Sequence, residues 1–489
     1  METAQQLLAR LAAQGAMIER LSSDSRRCAP GTAFFAYPGE RADGRRYIGD
    51  AIARGASAVL WEEDAFSWPT GWRTPNAAVA GLKERAGFLA HEFYGRPSGR
   101  LWVCGVTGTN GKTSCSQWVA AALGAAGTKT GVIGTLGSGF PGALSRETNT
   151  TPDALEVHRL LAEFAQAGAR GAAMEVSSHG LVQGRVNAVA FDCALLTNLS
   201  HDHLDYHGSM ESYARAKALL FEMPGLAAAV LNLDDVFGVQ LAQRLTARGL
   251  RTIGYSLSAS GIPAGSVSEH VAAQSIEAET LVLTSSWGEA RVPFRHLGRF
   301  NVANALGVLG CLMAYGLDFR DAAGRLPGLP PVPGRMERVA EAPLVVVDYA
   351  HSPDALEKVL AALRPVAVAR GGQLAVVFGA GGDRDAAKRP LMGAIAGRLA
   401  DRVLITSDNP RSEDPRAIIG QIARGVGAAH GTEPDRSLAI EKAVREADRR
   451  DVVLIAGKGH EDYQEIAGRR LAFSDSAAAR AALALRTDA

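Results

Sequence analysis

The chain has 489 residues, 47% of them hydrophobic and 21% charged, and 52 Lys and Arg balance 51 Asp and Glu to a formal charge of +1. That balance excludes the basic footprint of a nucleic-acid binder, and no uninterrupted apolar stretch approaches the ~18 residues of a membrane span. Five cysteines without a C-x-x-C pair argue against a disulfide framework, and the N-terminus lacks a basic segment followed by an apolar one, so a cytoplasmic, multidomain α/β enzyme of about three domains is expected.

Two stretches rich in glycine and proline, 95–99 and 327–334, read as linkers, because proline stiffens such connections and neither residue continues a helix. Between them, apolar runs at Trp102–Thr107, 172–176, 194–197 and 228–231 alternate with helical patterns. Beyond the second, runs at Leu344–Asp348, Leu374–Phe378, 402–406 and Val452–Ala456 do the same. Continuous apolar strands alternating with helices predict mainly parallel sheets covered on both faces. Polar groups collect at or just after the runs, at Lys112, Glu175, Asn198, Asp348, Asp408 and Lys458, where open α/β sheets bind ligands.

The segment V-C-G-V-T-G-T-N-G-K-T-S, residues 103–114, passes from an apolar strand through a glycine-punctuated turn to a helix opening at Lys112 and Thr113. Glycines admit backbone N–H groups to phosphate oxygens and the helix N-terminus adds positive potential; the lysine reaches the outer phosphates and the hydroxyl reaches Mg2+. The common phosphate loop requires a glycine where this chain has Val106, so a different class of ATP loop is expected. Glu175 ends an apolar run, where a carboxylate suits Mg2+ and helix capping equally well. T-N-L-S-H-D-H-L-D-Y-H, residues 197–207, gathers three histidines and two aspartates, which favours a metal or phosphate site over a structural cluster; zinc is disfavoured because no cysteine joins them. Lys217, in S-Y-A-R-A-K-A-L-L-F, is by itself an ordinary solvated helix lysine. Arg411 in D-N-P-R and Arg384 in G-D-R-D offer planar forks for a carboxylate, and Glu461 in G-K-G-H-E offers a counter-charge for an amine; each alone is as readily a surface charge.

T-G-T-N-G-K-T, T-N-T-T-P, E-V-S-S-H-G-L, the 197–207 segment, H-L-G-R-F-N-V-A-N-A-L, P-G-R-M-E-R-V, D-Y-A-H-S-P-D-A-L, G-D-R-D, D-N-P-R and G-K-G-H-E occur in that order. With S-S-D-S-R at 22–26 and G-E-R-A-D-G-R-R-Y-I at 39–48, they resemble the Mur ligases over nearly the whole chain, and T-G-T-N-G-K-T is the usual ATP loop of that family. The resemblance implies three α/β domains: a small N-terminal domain for the UDP-MurNAc substrate at 1–98, a central P-loop-type ATPase domain with a mainly parallel sheet at 99–332, and a C-terminal Rossmann-like domain for the amino acid at 333–489. It implies an ATP-dependent, ADP-forming ligase of peptidoglycan precursor synthesis, and so of cell-wall biogenesis, cell shape and division. ATP would phosphorylate the D-glutamyl carboxylate of UDP-MurNAc-L-Ala-D-Glu, and the amine of meso-diaminopimelate would capture the acyl phosphate. D-N-P-R is similar to the motif that separates diaminopimelate-adding members from lysine-adding ones, Arg411 matching the second carboxylate that lysine lacks.

Matching positions imply the following roles. Gly108, Thr109, Asn110, Gly111, Lys112, Thr113 and Ser114 hold the ATP phosphates, with Asn304, Arg335 and Asp348 at adenine, γ-phosphate and ribose. Lys112, Glu175, His203 and Lys217 form the catalytic set. Thr113, Glu175, His203 and Lys217 hold two Mg2+ ions, Lys217 as a carbamate derived from CO2. Ser23, Ser25, Glu40, Arg41 and Ala42 match the UDP-sugar site, with the Glu40 and Arg41 side chains the variable part. Asn149, Thr150, Thr151, Ser177, Gln183 and Arg185 match the sugar-peptide site, and Arg384, Asp408, Asn409, Pro410, Arg411, Gly457 and Glu461 the diaminopimelate pocket. A monomer is expected, with neither nucleic acid nor membrane insertion. The competing readings are a lysine-adding or other sibling ligase, a folylpolyglutamate synthetase, which has no need of the first 95 residues, and a catalytically idle nucleotide-binding scaffold.

Overall fold

A computed structural model describes residues 2–40, 42–147, 149–277, 279–427 and 430–486, which form three α/β layers in chain order. In the first, β1 (Arg20–Ser22), β2 (Thr32–Ala36), β3 (Ala58–Glu62) and β4 (Asn76–Val79) pair in that order, all parallel. Alternation along β2 and β3 sends Phe35 and Leu60 to one face, against Leu7, Leu11 and Leu89, and Phe34 and Val59 to the other, beside Trp61 and Ile48. Both faces are therefore buried, which explains why these strands are apolar throughout.

The second sheet contains β5 (Trp102–Thr107), β6 (Thr130–Gly134), β7 (Gly137–Phe140), β8 (Ala143–Ser145), β9 (Gly171–Glu175), β10 (Cys193–Leu196), β11 (Ala228–Asn232), β12 (Arg251–Ser256), β13 (Glu269–Glu277), β14 (Thr280–Ser285) and β15 (Gly288–Pro293). Their order is β15-β14-β13-β12-β11-β10-β5-β9-β6-β7-β8. The core from β6 to β13 is parallel, as expected; antiparallel hairpins extend both ends, which the apolar-run pattern did not anticipate. Val106 and Leu195 face the helices Lys112–Ala125 and Arg299–Tyr315, while Val103 and Leu196 face Ala154–Gln166 and Val236–Ala247. The helix Arg299–Tyr315 is apolar nearly all round, as an internal helix must be.

The third sheet has the order β16 (Glu337–Glu341), β17 (Leu344–Asp348), β21 (Val452–Ala456), β18 (Leu374–Phe378), β19 (Arg402–Ile405) and β20 (Gly431–Thr432), parallel except for the β16 edge. A separate hairpin, β22 (Tyr463–Ile466) and β23 (Arg469–Ala472), stands beyond β21. Val346 and Leu454 pack under Pro353–Arg370, and Val347 and Ile455 over Arg436–Arg445 and Asp475–Ala484, each such side chain contributing about 1.5–3 kcal/mol. Beneath the carboxyl ends of β19 and β21, Arg436 and Asp475 form a bidentate pair with no exposed surface, both bonds 2.7 Å. Arg436 also donates to Ser407 O and Ala456 O, so the residues that follow, Asp408 and Gly457, stand on a fixed base.

Candidate active site

The loop after β5 is built for close approach. Gly111 has φ +87°, and a Cβ there would lie 2.5 Å from Asn304 Oδ1, so glycine lets the helix Arg299–Tyr315 close against the loop. The end of β10 pins the other side: Asn198 Oδ1 accepts from Asn110 N at 3.0 Å and Thr197 Oγ1 donates to Asn110 O at 2.6 Å. Lys112 Nζ donates to Gly108 O and Thr109 O, both at 2.9 Å. Lys217, 1% exposed, donates to Gly108 O at 2.8 Å and lies 4.3 Å over the Tyr213 ring. Burial, and then the Lys112 charge, push Lys217 well below the usual lysine range against the opposing pull of Asp202.

Glu175 is buried at the end of β9 and accepts from Thr135 N at 2.8 Å and from Thr113 Oγ1 and Thr135 Oγ1 at 3.1 Å. Arg335 Nη2 reaches Thr113 Oγ1 at 3.3 Å from the start of the third layer. A hydroxyl and a carboxylate side by side at a phosphate loop are the hard oxygen donors that Mg2+ requires, so the residues fit that ion. His203 opens the short helix Leu204–His207 with φ +53°, its Nε2 3.4 Å from Asp202 Oδ2 and its ring edge-on to His179 at 5.0 Å. Burial lowers its pKa against the pull of Asp202, keeping the imidazole neutral and able to act as a ligand. Asp348 ends β17, where its Oδ2 accepts from Met336 N at 2.7 Å; burial raises its pKa and Arg335 opposes the rise.

A chain of hydrogen bonds runs from the first layer to Glu175. Glu40 Oε1 accepts from Gln183 Nε2 (2.7 Å) and Tyr206 OH (2.8 Å), and Arg185 donates to Gln183 Oε1 (2.8 Å) and Thr151 O (2.7 Å). Thr151 Oγ1 then donates to Glu175 O (2.9 Å) and to Ser177 Oγ (3.1 Å), and Thr150 Oγ1 bonds Thr135 Oγ1 at 3.0 Å. Ser23 Oγ donates to Asp153 Oδ2 at 3.1 Å; Ser25 is buried in the turn Ser25–Arg27, and Ala42 O accepts from Gly39 N at 2.8 Å. Asn149 lies in the turn before Thr150, and Arg41 lies outside the described residues.

At the carboxyl edge of the third sheet, Asn409 Nδ2 donates to Glu461 Oε2 at 2.8 Å. Gly457, φ +120°, takes a conformation and a closeness that exclude a side chain, since a Cβ would meet Asp408 Oδ2 at 2.7 Å; its N–H donates to Asp348 O at 3.0 Å. Arg411, following Pro410, donates to Gly382 O at 2.6 Å, its Nε 3.7 Å from Glu465 Oε2. Arg384 is exposed, outside this network, but flanks the same glycine as Arg411: a Cβ on Gly381 would meet Arg411 Nη1 at 3.1 Å and Arg384 Cγ at 3.6 Å.

Three residues of this region went unread in the sequence. Asp354 Oδ2 accepts from Ser200 Oγ (2.9 Å) and Asn110 Nδ2 (3.2 Å), tying the third layer to the phosphate loop. Arg389, without exposed surface, makes a bidentate pair with Glu413, both bonds 2.8 Å, and donates to Gly381 O at 3.0 Å, bracing the glycine turn. Lys388 Nζ donates to His351 O at 2.9 Å. A signal existed for the last two: a basic pair opening a helix opposes its dipole and needs anchors elsewhere. Cys104, Cys193 and Cys311 gather their sulfurs within 4.8 Å of one another inside the central core, where they pack as small apolar side chains.

Residues 106–312 match the profile described as Mur ligase middle domain, 334–459 Mur ligase, glutamate ligase domain, and 17–94 Mur ligase family, catalytic domain. A Pseudomonas aeruginosa protein named UDP-N-acetylmuramoyl-L-alanyl-D-glutamate–2,6-diaminopimelate ligase is 52% identical over 472 residues, covering 96% of this chain and 95% of its own. The chain belongs to the Mur ligase family. A relative of this Mur ligase from Chromobacterium violaceum with the same name is 50% identical over 473 residues, covering 96% and 95% of the two chains. A solved structure of a protein so named is similar with a TM-score of 0.65 at 36% identity, covering 96% of this Mur ligase and 95% of that chain. Among the described residues no helix is long and apolar enough to cross a membrane.

Proposed function

We propose that this Mur ligase joins meso-diaminopimelate to the D-glutamyl carboxylate of UDP-MurNAc-L-Ala-D-Glu, with ATP converted to ADP and phosphate, as a cytoplasmic monomer making peptidoglycan precursor. Residues 1–98 bind the UDP-sugar, 99–332 ATP and 333–489 the amino acid. The observation that carries this reading is the convergence at one edge: Arg335 reaches Thr113 of the loop after β5, while Asp348 ends β17, Gly457 and Glu461 follow β21 and Asn409 follows β19 of a single sheet. Relatives of that name at 50–52% identity support it.

Lys112 and the N–H groups from Gly108 to Ser114 bind the phosphates, with Asn304 and Asp348 at adenine and ribose. Arg335 absorbs charge on the transferring phosphoryl group. Ser23, Ser25, Glu40, Arg41 and Ala42 take the UDP-sugar; Asn149, Thr150, Thr151, Ser177, Gln183 and Arg185 present the dipeptide. Its carboxylate oxygen bonds to the γ-phosphorus as the bond to ADP breaks. One neutral amine of diaminopimelate, whose other groups are held by Glu461, Asn409, Arg411, Arg384 and Asp408, attacks the acyl carbon; the C–N bond forms, phosphate leaves, and the amine proton passes to solvent. Holding both reactants together raises effective molarity and excludes water. Thr113, Glu175, His203 and carbamylated Lys217 hold Mg2+, which when bound neutralises phosphate charge. The carbamate forms when the neutral Lys217 amine bonds to CO2 carbon and loses a proton.

An amino-acid panel tests the reading. With UDP-MurNAc-L-Ala-D-Glu, ATP and Mg2+, phosphate release is expected with meso-diaminopimelate and at least 30-fold less with lysine or glutamate, roughly the cost of an unmatched buried charge contact. Equal rates with lysine, or turnover without any amino acid, would overturn it.

A further inference from the structure

Lys458 follows β21 and has no exposed side-chain surface. Its Nζ donates to Asn409 Oδ1 at 2.9 Å and to Glu461 Oε2 at 2.8 Å. Asn409 Oδ1 also accepts from Glu465 N at 2.9 Å, while Asn409 Nδ2 donates to Glu461 Oε2 at 2.8 Å. Two donors fill the amide oxygen, so the amide has a single orientation. Glu461 Oε2 is filled likewise, and Oε1 has no hydrogen-bond partner among the described residues. The buried ammonium thus settles two things at once: which way the Asn409 amide points, and which oxygen of Glu461 is left over.

We propose that Lys458 is a positioning residue for amine recognition. It locks Asn409 and turns Glu461 so that one carboxylate oxygen faces an ammonium group of the amino-acid substrate. This rests on the ligase reading above and adds a role to a residue between two pocket positions. Lys458 touches neither ATP nor the reacting carboxylate in that reading, so its loss falls on the second half-reaction. Without the buried cation, Glu461 Oε2 keeps only the Asn409 donor, and Asn409 Oδ1 keeps only Glu465 N, so both side chains lose half of what holds their rotamers.

The test uses the full chain with K458M and, in case that variant does not accumulate folded, K458Q, which keeps a donor for Asn409 without the charge. KM for meso-diaminopimelate is expected to rise about 30-fold or more in K458M and less in K458Q, a loss consistent with one charge-assisted contact. KM for ATP and for the UDP-substrate is expected to stay within about 3-fold of the parent, the range left when no contact is lost. Positional isotope exchange in labelled ATP without amino acid, which reads acyl-phosphate formation alone, is expected to be unchanged. E461Q is expected to raise the same KM, and K458M/E461Q to be no worse than E461Q. A folded K458 variant with unaltered KM for diaminopimelate, or one losing exchange and all three KM values together, would overturn the proposal. Absence of diaminopimelate-dependent phosphate release in the parent enzyme would instead overturn the ligase reading.

Discussion

Lys112 and Lys217 donate to the same atom, the carbonyl oxygen of Gly108, at 2.9 and 2.8 Å. Two cations bonded to one buried oxygen would repel by ~3–4 kcal/mol at an effective dielectric of 20. Burial lowers both amines, but Glu175 and Asp202 oppose the fall at Lys112 while the Lys112 charge deepens it at Lys217, so Lys217 is the more readily deprotonated of the two, as the proposed carbamate requires. A lowered pKa makes the neutral amine, the form that bonds CO2, available at lower pH than in an ordinary lysine.

Lys217→Ala is accordingly expected to lose at least ~1000-fold in kcat, the scale of ~4 kcal/mol for a lost transition-state contact, and to regain part of it with added acetate or propionate. Steady-state rates with and without the short acid check this, together with native mass spectrometry for one added CO2 on the parent. No rescue, with no adduct on Lys217, would contradict carbamylation.

Arg411→Lys removes the planar fork while keeping a charge. The expected result is a rise in KM for meso-diaminopimelate of about 10-fold or more, and Arg411→Met about 30- to several-thousand-fold, with KM for ATP unmoved. Comparing kcat/KM for diaminopimelate and lysine in each variant measures the loss of discrimination.

Asp354 collects donors from the phosphate loop and from Ser200, as well as Lys358 Nζ at 2.9 Å, on one oxygen. Asp354→Ala is expected to cost about 1–2 kcal/mol of closure between the central and C-terminal layers, raising KM for ATP roughly 5- to 30-fold. Small-angle scattering checks the cause: the variant is expected to show a larger radius of gyration than the parent when ATP is saturating.

Glu413 is held down to about 2, first by its bond to Arg389 and then by Asp383 N, against a small opposing effect of burial. A carboxylate depressed in the folded state adds stability that is fully present above its ordinary value of 4.5 and fades as pH falls toward 2. Glu413→Gln is therefore expected to lower the melting temperature at pH 7 and to flatten its decline between pH 4.5 and 2. Glu413→Ala leaves Arg389 buried without its carboxylate and should cost about 3 kcal/mol in chemical denaturation.

The parallel strands were legible where burial on both faces makes them apolar throughout: β5, β17, β18 and β21 have the bounds read from the apolar runs, and β9 and β10 begin one residue earlier than expected. Hairpin strands such as β14, where Thr280 and then Thr284 and Ser285 bracket only three apolar residues, gave no such run. Within the site, the strand–turn–helix form of 103–114 was legible because its signals are local. Lys217 was not, because its burial depends on Gly108, far away in the chain, as well as on Tyr213 one turn earlier on its own helix. Asp354 meets Asn110 across 244 residues of chain, a separation over which spacing carries no signal. Lys458 drew notice only as a polar group after a strand; its two acceptors emerge when β21 is seen beside the D-N-P-R turn.

The most direct measurement places 18O in the D-glutamyl carboxylate of the UDP-substrate and follows it through one turnover with ATP and meso-diaminopimelate. Capture of an acyl phosphate by the amine requires one labelled oxygen to appear in inorganic phosphate, the other remaining in the new amide. Inorganic phosphate free of label, with amide formed, would contradict the account.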